Sequence, residues 1–122
     1  MRNFRDLEVW QSSDLFVKRI YILTGTFPKE EKFGLVSQIN RCAVSIPSNI
    51  SEGYERDSKN QFLYFLSIAK GSCGEVRTQL RIAHNLNYLN EIDYESLNLL
   101  CESTSKQLSG FIKYLKGFKG NK

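Results

Sequence analysis

Gln38, Arg41, Ser45, Asn49 and Glu52 recur at steps of three, four, four and three, the spacing that lines side chains along one face of a helix. The stripe is polar but holds only one charge of each sign, unlike the Lys/Glu pattern of a solvent face. Side chains of this kind exchange hydrogen bonds with a partner surface. Arg41, Glu52, Arg56 and Glu75 are the groups expected to build a charge-assisted network there. Its place is either a subunit junction or the seam between the second and third helices of one subunit. Truncating one partner of a buried pair would cost roughly 3–5 kcal/mol.

Catalysis would require a nucleophile with a base, paired carboxylates or a metal cluster. Antiparallel packing would bring Glu52 toward Glu75, but neither has a histidine three residues on, so the dimetal motif of ferritin-like bundles is missing. His84 is the only histidine. Cys42, Cys73 and Cys101 are an odd number without a CxxC pair and fall at core positions of the helical period, which reads as small buried hydrophobes. No zinc site, catalytic residue or cofactor is expected, and the chain reads as a non-enzyme.

The remaining chemistry is cationic. Arg41, Arg56, Lys59, Lys70, Arg77, Arg81, Lys106, Lys113, Lys116 and Lys119 are candidate phosphate contacts, and Tyr54, Tyr64 and Tyr88 are candidates to stack on exposed bases. The net charge of +4 is uneven: no acid follows Glu102, while Lys106, Lys113, Lys116, Lys119 and Lys122 do. Setting those five aside leaves 12 basic against 13 acidic residues. The expected activity is therefore RNA or single-stranded DNA binding by an oligomeric scaffold. The alternative is a structural adaptor for a partner protein, with Arg and Lys forming a solvated face.

Four amphipathic segments position these groups. The apolar period predicts helices over 8–24, 29–53, 59–89 and 94–116, in one domain of 122 residues. Gly25 is placed to end the first in the left-handed conformation, and Gly53 to end the second. Pro47 should bend the second helix, whose apolar stripe Leu35, Ile39, Cys42, Ala43, Ile46 and Ile50 keeps its phase through it. Ser58 and Gln61 read as a capping box, and Asp93 as the cap of the fourth helix. Gly71 and Gly74 suggest that another backbone passes the third helix closely. No period-two segment occurs, so the fold class is all-α: an up-down-up-down antiparallel four-helix bundle. No apolar run approaches the roughly 20 residues of a membrane span, and the first residues lack a secretory pattern, so the expected location is the cytoplasm.

Several blocks follow one another across nearly the whole chain: Phe4-Arg5-Asp6-Leu7 with Val9-Trp10, Phe27-Pro28 with Glu31, and Gly34-Leu35 with Ser37-Gln38. Arg41, Ser45-Ile46, Asn49-Ile50, Glu52-Gly53 and Arg56 continue them, and Ile68-Ala69, Gly71-Ser72 and Glu75 complete them. In this order they resemble the four-helix-bundle proteins named for the 23S rRNA intervening sequences in which some are encoded. Ser51 stands where that family usually has alanine. The resemblance implies a bundle assembling as a homopentameric barrel. It extends in architecture to the accessory variability protein of diversity-generating retroelements, which binds nucleic acid and a reverse transcriptase through a strongly basic barrel.

Assembly also has a motive in the residues themselves. The first and third helices carry apolar side chains over more than the one-third face a lone bundle buries, and the excess needs cover. A cyclic ring supplies it through heterologous contacts. A dimer would serve equally, so the number five comes from the resemblance.

Overall fold

The structure is a computed structural model that describes residues 3–118. After a 3-10 turn at Phe4–Asp6, the chain forms α1 (Glu8–Thr24), a second 3-10 turn (Lys29–Glu31), α2 (Leu35–Glu55), α3 (Lys59–Asn85) and α4 (Glu91–Gly117). No strand occurs among the described residues. Each helix packs on two neighbours in the cyclic order α1, α2, α3, α4. Ser12 meets Thr104 at 2.7 Å and Arg19 meets Ser96 at 3.1 Å, so α1 and α4 run antiparallel. Cys42 against Ser72 and Gly53 against Phe62 give the same sense to α2 and α3.

The apolar stripes meet on the axis of this bundle. Phe16 and Ile20 of α1, Ile39, Ile46 and Ile50 of α2, Leu66, Val76 and Leu80 of α3, and Leu97 and Leu108 of α4 are the large buried side chains. Each full burial of this kind contributes about 1.5–3 kcal/mol. α2 runs unbroken through Pro47 because Ile46 and Ile50 are both held in the core on either side of it.

The helix ends differ from the sequence expectation, each for a local reason. Gly25 is right-handed (φ −63°), and the only positive φ among the described residues belongs to Asn87 (φ 65°). Asn87 ends α3 earlier than residue 89. Its amide donates to the His84 carbonyl and the Tyr88 amide to the Ala83 carbonyl, the paired bonds of a Schellman motif. Asn tolerates the left-handed region better than most residues. α4 begins at Glu91 because Asn90 is the cap, its Oδ1 accepting from the Asp93 amide at 2.7 Å; Asp93 is the recipient of the cap. The 3-10 turn Lys29–Glu31 and a further turn over residues 32–34 lie ahead of α2, with the Glu31 carboxylate accepting from the Leu35 amide at 3.1 Å. Ser58 Oγ does accept from the Gln61 amide at 3.0 Å, while the Gln61 side chain turns to Arg56.

Gly53 lies inside α2 and has a steric task. A Cβ there would stand 2.9 Å from the Cδ1 of Phe62 and 2.9 Å from the Cβ of Phe65, so α3 crosses α2 against bare backbone. Gly71 and Gly74 have the opposite surroundings: within the chain, a Cβ at either meets nothing within 4 Å. The close backbone expected beside them is not part of this chain's own packing. Gly53→Ala is therefore expected to lower stability by about 1–3 kcal/mol through overpacking. Gly71→Ala and Gly74→Ala should each gain up to about 1 kcal/mol by removing an interior glycine. Urea denaturation midpoints check all three.

Candidate nucleic-acid interface

The rotation of α3 about its own axis is set from both sides. On the α2 side the hydroxyls of Ser45 and Ser72 lie 2.7 Å apart, Ser45 Oγ also donates to the Cys42 carbonyl at 2.6 Å, and the Cys42 thiol donates to the Ser72 carbonyl at 3.3 Å. On the α4 side Arg77 Nε donates to Asn98 Oδ1 at 3.2 Å and its Nη2 to Glu102 at 3.3 Å. At the α3–α4 turn His84 Nε2 lies 2.9 Å from Glu91, and its ring stacks on Tyr94 at 4.5 Å.

With α3 held so, its basic residues are sorted. Lys59, Lys70, Arg77 and Arg81 are separated by eleven, seven and four residues, which places them within about 40° of one another around the helix. From Lys59 to Arg81 this row rises about 33 Å. α4 adds to it, because Lys70 shares an open groove with Ser109, Lys113 and Lys116. Arg77 and Arg81 line a second groove, of about 560 Å³, with Tyr94 and Asn98. Glu102 is the acid drawn into ion pairing along the row.

Of the other sequence candidates, Lys106 extends the row and the rest fall elsewhere. Lys106 is exposed seven residues before Lys113, continuing the α4 row. Arg41 is exposed on α2, which lies diagonally across the bundle from α4 rather than beside it. Arg56 sits at the α2–α3 turn, and Lys119 lies outside the described residues. Of the tyrosines, Tyr64 is exposed; Tyr54 packs edge-on against Phe62, and the Tyr88 hydroxyl donates to Glu31 at 2.9 Å. Tyr114 on α4 and Phe118 just past its end, both exposed near Lys113 and Lys116, were not singled out by their spacing. Their place among the terminal lysines was the available signal.

The polar stripe of α2 divides in the same way. Ser45 faces α3, and Asn49 Nδ2 folds back to the Ser45 carbonyl at 2.7 Å. Glu52 and Arg56 pair with each other at 2.7 Å, four residues apart and about half exposed. Glu75 lies beside the Cys42 thiol, whose pKa is pushed up to about 12, first by burial and then by that carboxylate. Gln38 and Arg41 are exposed. Within one chain the stripe thus makes two local pairs rather than one connected network. All three cysteines are free and buried, and no group of three His, Cys, Asp or Glu among the described residues could hold a metal ion. No described helix is long and apolar enough to cross a membrane.

Four packed α-helices, with no strand among the described residues, define an all-α four-helix protein in architecture. The chain matches the profile of the 23S rRNA-intervening sequence protein family over residues 5–110, and it belongs to that family. It is similar to the crystal structure of a protein of unknown function from the S23 ribosomal protein family of Bacteroides thetaiotaomicron. The two are 31% identical with a TM-score of 0.81, over 86% of this chain and 95% of that one. A search of curated proteins finds no significant match.

The Glu52–Arg56 pair should behave as an exposed helical pair. Arg56→Ala is expected to cost less than about 1 kcal/mol, rather than the several of a buried ion pair. Ser72→Ala removes a hydrogen bond at the α2–α3 seam and should cost about 1 kcal/mol. Chemical denaturation of the two variants against the parent separates these values.

Proposed function

We propose that this protein is a non-enzymatic, self-assembling helical scaffold of the cytoplasm that binds RNA or single-stranded DNA along the α3–α4 seam. The observation that carries this reading is the row Lys59, Lys70, Arg77 and Arg81 joined by Lys113 and Lys116. A polyanion laid on such a row releases condensed counterions as each phosphate is neutralised, a sequence-independent source of affinity. Repeated around a ring, the rows would multiply that attraction beyond what a chain of net charge +4 exerts alone.

Assembly is supported by what the lone chain leaves uncovered. Phe33 is 88% exposed and Ile92 80%, and both lie at the end of the bundle that also carries Ile22 and Leu86. Scattered exposed apolar residues are ordinary, but a group at one end marks a contact surface. The subunit number of five follows the family resemblance, and Arg41 with Gln38 supplies polar groups for a junction. The same apolar end favours a second reading, an adaptor oligomer that docks a partner protein there and binds no nucleic acid.

Light scattering on the purified protein with and without a single-stranded RNA tests both parts. The protein alone is expected at a multiple of 14.1 kDa, near 70 kDa for a pentamer, and RNA should add to that mass. A combined Lys70→Ala, Lys113→Ala and Lys116→Ala variant should keep the assembled mass and lose the RNA. A mass of 14.1 kDa with the fold intact refutes assembly. An assembled parent that RNA leaves unchanged refutes the binding and favours the adaptor.

A further inference from the structure

The row of cations ends in a pocket. Tyr54 at the end of α2, Phe62 on α3, and Leu115 and Phe118 at the end of α4 wall a recess of about 250 Å³, with Arg56 and Lys59 at its rim. We infer that this recess takes one unstacked nucleobase of the bound strand, with that nucleotide's phosphate held by Lys59. The inference rests on the seam reading and adds to it a subsite for a base.

Size, wall chemistry and charge agree on this occupant. The volume is below the roughly 300–1,000 Å³ of drug-sized sites, which suits a single planar ring system rather than a large cofactor. The walls are largely apolar and aromatic, and aromatic faces stack on any base without sequence preference. Phe62 is braced from behind by Phe111, edge to face at 5.4 Å, so it forms a fixed wall. Phe118 is 44% exposed and forms the outer one.

The two cations are not equivalent. Arg56 is committed: Nε and Nη2 meet Glu52 at 2.8 and 2.7 Å, Nη1 meets Gln61 at 3.4 Å, and its plane lies 5.0 Å from the Phe65 ring centre. Lys59 Nζ donates to the Phe118 carbonyl at 2.8 Å, which ties the outer wall to α3. An ammonium has three donors, so two remain for phosphate oxygens. Lys59 is also the last member of the α3 row, so a strand following the seam from Arg81 through Lys70 arrives at this pocket.

The test compares an oligothymidylate with an abasic phosphodiester strand of equal length and charge, each titrated into the intact protein at one salt concentration. The base-bearing strand should bind about 5- to 150-fold more tightly, the range of one stacked base. Phe118→Ala should remove most of that preference while leaving the abasic strand's affinity unchanged. Lys59→Met should weaken both strands and reduce the salt slope by about one. Equal affinity of the parent for the two strands overturns the base pocket and leaves the seam standing. A base preference that survives Phe118→Ala also overturns it. If neither strand binds, the seam and the pocket fall together.

Discussion

The approach of α2 to α3 at Gly53 is the constraint from which the remaining geometry follows. Bare backbone at that position lets Phe62 and the Cβ of Phe65 come to within 2.9 Å of where a side chain would begin. About two helical turns toward the middle of the seam, Ser45 and Ser72 fix the angle of approach with a short hydrogen bond. A helix pinned at two heights on one side cannot roll. Arg77 must then reach Asn98 and Glu102, and the residues one and two turns from it, Arg81 and Lys70, fall on the same line. Packing therefore decides which charges share a surface.

That sorting matters because the chain is not strongly basic as a whole. Setting the last five lysines aside leaves a slightly acidic body, so a uniform distribution would give little attraction for a polyanion. Grouping lysines and arginines from two antiparallel helices concentrates the positive potential along one seam. Glu52 and Glu75, the two carboxylates that antiparallel packing was expected to bring together, have other neighbours: Glu52 pairs with Arg56, and Glu75 lies beside Cys42.

Much of the fold was legible in the sequence because apolar side chains repeat with the helical period. Ile46 and Ile50 keep their phase across Pro47, and both are buried. What a linear reading lacks is the neighbour. A glycine near a helix end suggests termination, and only the position of α3 shows that Gly53 is there for space. Asn87 and Asn90 bracket a turn whose boundaries depend on hydrogen bonds to Ala83, His84 and Asp93, none of which leaves a mark on periodicity. The cations were all visible as residues, yet their division into a seam and outliers such as Arg41 required the pairing of α3 with α4. Phe118 was hidden for the same reason, since its place beside Lys59 joins residues far apart in the sequence.

The most direct measurement is the salt dependence of single-stranded RNA binding to the intact protein. Six lysine and arginine contacts along the seam predict that log affinity falls linearly with log salt, with a slope of about −4. An affinity that stays constant between low and moderate salt would contradict a phosphate-led interface on α3 and α4.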